Sequence, residues 1–190
     1  MIFAAAAGFL SAGATGSRAA PNREAPAAVP IDRAIGPVRL GMTVEAFQKA
    51  VKSSEQTGSN PGLIEDERSF EVRRESRGPE ISLMGCRFLH GRLYRITAEY
   101  REGFFDEARW DGLLKGNMER YGTAPVESKT LGERPFEFVQ WDDPKTRLVL
   151  QREFRMRFES QQLVKRYRVV IILLDQALWN ERLEAEGSPF

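Results

Sequence analysis

Apolar residues recur at the three- and four-residue spacing of an amphipathic helix in two parts of the chain. In the first part they follow Thr43, whose hydroxyl is suited to cap a helix: Val44, Phe47, Ala50 and Val51. In the second part they lie between Asp106, another N-cap residue, and Gly122, which suits a helix end: Trp110, Leu113, Leu114, Met118 and Tyr121. The spacing predicts one helix over about 43–53 and a second that ends at Gly122.

Three segments of strand-like composition follow each predicted helix, at about 69–74, 81–89 and 92–100, and at about 136–141, 146–158 and 163–174. The dipeptide His90-Gly91 between two such runs is typical of a tight hairpin turn. The second arm of this hairpin breaks the apolar alternation, which indicates a bulge or register shift near Arg95. Residues 53–62 and the stretch through Pro125 and Gly132 show no period, and we interpret them as loops.

This order of elements predicts an α+β fold. Two α-β-β-β halves, at about 31–104 and 105–190, would form one antiparallel sheet with helices packed on one face. Ala177, Leu178, Trp179 and Leu183 predict an additional C-terminal helix. Residues 169–174 are apolar throughout, which is typical of a central strand covered on both faces. We therefore expect a single domain over 31–190, whereas the sheet order between the halves stays open.

The amino-terminal residues are typical of an export signal. Residues 2–15 carry no charge, and Ser17 and Ala19 would supply the small residues for cleavage before Ala20. We interpret 1–19 as a signal peptide, although no basic residue precedes the apolar run, and 20–30, rich in proline and alanine, as a flexible lead-in. The alternative is a disordered alanine-rich tail. Export predicts a periplasmic or secreted protein with no membrane span once the leader is removed.

Charge and composition exclude several function classes. The 190 residues include 28 Lys and Arg and 27 Asp and Glu, so a net charge of +1 provides no global attraction for nucleic acid. A single cysteine and a single histidine leave few residues for metal or nucleophilic chemistry. Phosphate-loop, dinucleotide-binding and zinc-protease motifs are absent from the sequence. We accordingly predict no cofactor, no metal and no enzymatic activity.

Two stretches resemble parts of known envelope proteins. Residues 35–47, which contain Gly41-Met42-Thr43 before the first helix, are similar to the opening of the BamE/SmpA-like domains. The helix ending in Tyr121-Gly122 and followed by Pro125 is similar to one found in many exported bacterial proteins. The tandem plan also looks like that of β-lactamase-inhibitory-protein-like domains. These resemblances imply a binding or scaffolding module, although the chain lacks the lipid-attachment cysteine of the BamE type.

The candidate catalytic residues each have a structural interpretation that we favour. His90 is the only imidazole, yet histidine tolerates the positive φ of a two-residue turn. Cys86 and His90 would lie about 13 Å apart on one strand, too far for a hydrogen bond, so Cys86 is better explained as a small buried residue. Asp142 and Asp143 form an adjacent carboxylate pair but precede Pro144 in a predicted turn, where aspartate bonds to backbone.

The last two strands carry the most prominent cations. An anion or partner contact would involve Arg152, Arg155, Arg157, Arg166 and Arg168, joined by Lys165. Glu153 and Glu159 lie among them, so a solvated face of cross-strand ion pairs is the favoured alternative.

From these observations we expect an exported, non-catalytic binding or scaffolding protein of the bacterial cell envelope whose partner is another envelope protein. A small-ligand protein that binds an anionic or apolar molecule is the alternative. A hydrolase that uses Asp142 or glutamates is least favoured. The sequence leaves the partner, the ligand and the oligomeric state open.

Overall fold

A computed structural model describes residues 29–59, 66–131, 134–159 and 162–187. The predicted signal peptide, 1–19, and most of the lead-in, 20–30, lie outside these residues. The elements are, in chain order, β1 Ala34–Ile35, β2 Val38–Arg39, α1 Val44–Ala50, β3 Ser54–Ser59, β4 Arg68–Val72, a 3-10 turn Arg74–Ser76, β5 Ile81–Leu89, β6 Arg92–Tyr100, α2 Glu107–Tyr121, β7 Glu127–Leu131, β8 Arg134–Asp142, β9 Thr146–Glu159, β10 Gln162–Asp175 and α3 Gln176–Ala185.

The main sheet has eight antiparallel strands in the order β3-β4-β5-β6-β10-β9-β8-β7. Each helix at the start of a half is followed by a four-stranded meander, and the two meanders join where β6 pairs with β10. Five residue pairs form this seam, from Glu99 opposite Val170 to Arg95 opposite Leu174. The predicted α+β class, the large antiparallel sheet and the central position of residues 169–174 are confirmed.

Two predicted loops are in part strands, so the expectation of three strands in each half is wrong. Residues 54–59 form β3 and residues 127–131 form β7, at the two outer edges of the sheet. Both strands are polar, because an edge strand with little apolar cover has no need of an alternating apolar face. The pairing of β3 with β4 also shifts register between Gln56 and Gly58, which further weakens any period of two.

Helices α1 and α2 pack on one face of the sheet and α3 packs on the other. Phe47 of α1 lies against Phe70 and Phe88, with ring centroids 5.3–5.6 Å apart, and Trp110 of α2 is buried in the same core. On the opposite face Trp179 of α3 stacks on Tyr94 at 6.2 Å. Only two of the three described helices therefore share a face, and the apolar contacts of α3 are with Leu89 and Tyr94.

The local signals in the sequence are reproduced closely. Thr43 Oγ1 accepts a hydrogen bond from Ala46 N at 3.2 Å, and Asp106 Oδ1 accepts one from Arg109 N at 2.8 Å. His90 and Gly91 form the hairpin turn with φ of +48° and +70°. The register of β5 and β6 shifts where Tyr94 is the extra residue, next to Arg95, as the broken alternation predicts. Among the described helices, none has the length and apolar character needed to cross a bilayer.

Candidate functional site

The cations of the last two strands whose side chains the structure describes lie on two faces of the sheet and do not form one cluster. Arg152 of β9 lies on the face covered by α2, with its neighbours Leu148 and Leu150 in the core. Residues directly opposite in an antiparallel pair share a face, and Arg168 lies opposite Glu153, on the other face. Arg166 shares that face and lies opposite Arg155 in register. The side chains of Arg155 and Arg157 lie outside the described part of the chain.

Arg152 is buried, and its guanidinium is held by carboxylates and rings. Nη1 donates to Glu107 Oε1 at 3.0 Å, and Nη2 donates to Glu137 Oε2 at 2.6 Å. The guanidinium carbon lies 4.8 Å from the centroid of the Trp110 ring. Burial alone would lower the pKa of Arg152, but the hydrogen bonds to Glu137 and Glu107 raise it. This arginine therefore joins α2 to the sheet.

Arg168 forms a second network on the opposite face. Its Nη1 donates to both carboxylate oxygens of Glu153, at 3.2 and 3.1 Å, and its Nη2 donates to Glu99. The hydrogen bond to Glu99 is the main reason that the pKa of Arg168 lies above its usual range. Arg166 lies nearby, with Nη1 3.2 Å from the position a Cβ on Gly103 would occupy. Cross-strand ion pairs thus occupy Arg168, and an anion or partner role for it stays a prediction.

The ends of β9 and β10 extend beyond their neighbours in the sheet. Strand β8 pairs with β9 only through Glu153, and β6 pairs with β10 only from Val170 onward. Residues 154–159 and 162–167 therefore pair only with each other in the described structure, and we call this two-stranded extension the arm. Among the residues that the structure describes, both outer edges of the arm leave backbone groups without a strand neighbour, which favours contact with another chain.

The arm exposes a group of large apolar side chains near its end. Phe158 is 76% exposed, Leu163, directly opposite in register, is 60% exposed, and Met156 is 58% exposed. Side chains two residues apart on a strand share a face, so the three form one patch. At the base of the same face Lys165 Nζ lies 4.3 Å from the centroid of the Phe154 ring. Nothing in the sequence marks Met156, Phe158 and Leu163 as exposed, because an apolar residue in a strand usually indicates burial.

The candidate catalytic residues are kept apart. Cys86 is buried in the core, and burial raises the pKa of its thiol to about 12. His90 is exposed at the hairpin turn, with Nε2 3.1 Å from Glu181 Oε1 of α3. The thiol and the imidazole therefore lie in different environments, and the turn interpretation of His90 is confirmed by its positive φ.

The aspartate pair organises the turn between β8 and β9. Asp143 accepts hydrogen bonds from Lys145 N and Thr146 N, both at 2.7 Å, and from Ile31 N at 2.6 Å. Asp142 pairs with Arg147 at 2.7 Å. Burial would raise the pKa of Asp143, but the backbone donors hold it below its ordinary value. The predicted turn role is therefore confirmed, and Asp143 also fixes the beginning of the described domain.

One buried charged cluster escaped the sequence analysis. Glu67 is only 5% exposed, and its Oε1 accepts hydrogen bonds from Tyr94 Oη at 2.5 Å and from Arg182 Nε at 3.2 Å. Arg87 and Arg95 lie beside it on the uncovered part of the sheet. No local signal marks this cluster, because its members come from β5, β6, α3 and the residue just before β4.

Within the described ranges no group of three or more histidine, cysteine, aspartate or glutamate residues is arranged to hold a metal ion. No protein-family model, curated protein or solved structure matches the chain.

Proposed function

We propose that this is an exported, non-catalytic binding or scaffolding protein of the bacterial cell envelope that holds a protein partner through the arm. The observation that carries the proposal is the exposure of Met156, Phe158 and Leu163 on one face of a hairpin that extends beyond the sheet. Large apolar side chains are normally buried, and a contiguous exposed group favours an interaction surface.

The chemistry of the arm fits a protein partner. Aromatic residues and methionine are enriched in protein–protein interfaces, and the patch contains Phe158 and Met156. Lys165 lies over Phe154 and Tyr167 at the base of the patch, at 4.3 and 5.3 Å, so a basic group borders the apolar surface. The unpaired outer edges of the arm also offer backbone hydrogen bonds to an added strand.

The resemblance to BamE/SmpA-like and β-lactamase-inhibitory-protein-like domains supports the same class of function and remains a proposal. Export, to the periplasm or the medium, rests on residues 1–19 of the sequence. The anion or partner contact predicted for Arg166 and Arg168 belongs to this proposal as well, since both precede the seam at the base of the arm. Arg152 would act indirectly, by fixing α2.

Crosslinking in the cell envelope tests the proposal. The tagged full chain, expressed at native level, is compared with a Phe158→Ser/Leu163→Ser double variant and with a Val29→Ser/Val126→Ser control, whose valines are 50% and 46% exposed. We expect one identified protein to crosslink to the wild type and the control, to be lost in the arm variant, and to rebind when purified. Recovery of the chain alone would overturn the proposal.

Sedimentation of the purified chain separates a partner from self-association. We expect a monomer at micromolar concentration for the wild type and for both variants. A concentration-dependent dimer that the arm variant abolishes would show that the patch serves a second copy of this chain, and it would contradict a different protein partner.

A further inference from the structure

A polar depression lies on the sheet face opposite α1 and α2, over strands β4, β5 and β6. Its volume is about 330 Å³, near the lower end for small-molecule sites. Gly85 contributes no side chain there, and a Cβ at this position would meet only Leu83 Cδ2, at 3.9 Å. The open space above the strand therefore exists because glycine occupies this position. This depression, the β4–β6 pocket, lies in the first half of the domain, away from the arm.

Two arginines border this pocket on neighbouring strands. Arg87 of β5 lies directly opposite Arg95 of β6 in register, so the two side chains share a face. Like charges in this position destabilise an antiparallel pair. Arg95 is half-buried, and its hydrogen bond within the described structure is from Nε to Thr97 Oγ1 at 3.2 Å. Burial and the neighbouring Arg87 lower the pKa of Arg95, which reflects poor neutralisation.

The nearby carboxylates do not balance these cations. Glu67 Oε1 already accepts from Tyr94 and Arg182, and Arg87 Nη1 is 3.9 Å away. Arg182 in turn donates to Glu186 at 2.6 and 2.9 Å. With the pocket carboxylate Glu71 and its partner Arg77 included, the cluster sets four guanidinium groups, on Arg77, Arg87, Arg95 and Arg182, against three carboxylates, and it has one positive charge in excess.

The rest of the lining suits an oxyanion with an organic part. Ser69 lies opposite Arg87 in register, and the hydroxyl-bearing residues Thr57 and Thr97 also border the pocket. Leu83, 38% exposed, provides an apolar border. Glu71 lines the pocket as well, and its carboxylate accepts a hydrogen bond from Arg77 Nη1 at 3.4 Å. Guanidinium forks bind phosphate and carboxylate groups through paired hydrogen bonds.

We propose that the β4–β6 pocket binds a small organic anion, with its phosphate or carboxylate group between Arg87 and Arg95 above Gly85 and its apolar part against Leu83. This site is separate from the arm, so it stands or falls independently of the proposed partner contact. An anion there would add negative charge beside the cross-strand arginine pair, for which the shared carboxylate of Glu67 is the nearby counter-charge.

Calorimetric titration of the full chain tests this site with four probes: phenyl phosphate, benzoate, inorganic phosphate and phenol. We expect phenyl phosphate or benzoate to bind at least about tenfold more tightly than phenol, because the guanidinium groups recognise the oxyanion. Inorganic phosphate should bind more weakly than phenyl phosphate, because it lacks the apolar part. The comparison of phenyl phosphate with benzoate then separates the two head groups.

Three variants assign the binding to the pocket. Arg95→Gln and, separately, Arg87→Gln at a more exposed position should each weaken binding by about tenfold or more. Arg39→Gln, an equal charge change at an exposed residue of β2, should not. Urea unfolding shows whether each variant is folded. If Arg95→Gln does not fold, Arg87→Gln still tests the site. The proposal is overturned if neither organic anion binds, if phenol binds equally well, or if Arg39→Gln has the same effect as the pocket variants.

Discussion

Arg152 Nη1 donates a hydrogen bond to Glu107 Oε1 at 3.0 Å across a separation of 45 residues in the chain. Glu107 occupies the first turn of α2, and the same guanidinium lies over the ring of Trp110, the buried anchor of that helix. The side chain of Arg152 therefore contacts α2 twice, through an ion pair with Glu107 and through the ring of Trp110.

Replacing Arg152 should destabilise the domain strongly. In Arg152→Ala the buried ring faces lose their cation, and Glu137 loses its bonds from Nε and Nη2. We expect the free energy of unfolding to fall by about 3 kcal/mol, at the lower end for a broken buried pair because Glu107 is 57% exposed and can be rehydrated. Urea denaturation measures the change.

Arg120→Ala provides the matched control for this substitution. Arg120 also lies over a ring, that of Tyr121 at 5.1 Å, but it is exposed on α2. We expect a loss of at most about 1 kcal/mol. Equal effects of the two substitutions would contradict a special role for Arg152.

The buried carboxylate of Glu67 should make stability sensitive to acid. Burial would raise the pKa of Glu67, but the hydrogen bonds from Tyr94 and Arg182 hold it below its ordinary value. A group with a lowered pKa in the folded state stabilises the fold above its unfolded-state pKa, about 4.3 for glutamate, and loses that contribution as the pH falls through the folded value. Stability should therefore decline below about pH 4.5.

Glu67→Gln tests this dependence. At pH 7 the variant should be less stable by about 1–3 kcal/mol, because it lacks the charged hydrogen bonds, and the difference from wild type should shrink as the pH falls to about 3. Urea midpoints across this pH range give the answer. Glu55→Gln, which removes an exposed pair with Arg73, should change stability by less than about 1 kcal/mol throughout. A difference for Glu67→Gln that stays constant with pH would refute the assignment.

Two glycine-to-alanine substitutions should have opposite signs. Gly91 has φ of +70° in the hairpin turn, so Gly91→Ala should cost about 1–2 kcal/mol. Gly112 lies inside α2 with nothing within 4 Å of an added Cβ, so Gly112→Ala should stabilise by about 0.5–1 kcal/mol. Thermal or urea unfolding of the two variants compares them directly, and a shared sign would contradict either the positive φ of Gly91 or the open helical position of Gly112.

The thiol of Cys86 should be unreactive in the folded protein. Its pKa of about 12 leaves on the order of a ten-thousandth of the group as thiolate at pH 8, and the side chain is 1% exposed. We expect iodoacetamide to label the native chain at least about a hundredfold more slowly than the chain in concentrated urea. Mass spectrometry follows the reaction, and rapid native labelling would instead indicate an accessible nucleophile.

The features predicted correctly are those that depend on near neighbours in the chain. The caps Thr43 and Asp106 and the turn at His90-Gly91 each involve residues a few positions apart, so their signals are local. Strands β3 and β7 each pair with the strand that follows in the chain, and they were missed because their polar edge-strand sequences carry no apolar period.

The candidate sites depended on information that the sequence does not contain. The faces of Arg152 and Arg168 follow from the register of β9 against β10, which places Arg152 opposite Val169 and Arg168 opposite Glu153. The Glu67 cluster gathers residues from three elements around Glu67, and Glu67 itself lies before β4 beside acidic neighbours that indicate a solvated loop. The exposure of Phe158 could be seen only once the ends of β9 and β10 were known to lack neighbours.

The seam between β6 and β10 determines when the sheet can be completed during synthesis of the chain. Strand β10, the last strand of the described ranges, ends at Asp175, so the inner edge of β6 has no partner until β10 has left the ribosome. Until then β6 is an edge strand of the nascent first half, and its unpaired amide and carbonyl groups can pair with another chain. Truncated chains that stop before residue 170 should consequently be the ones that need a chaperone.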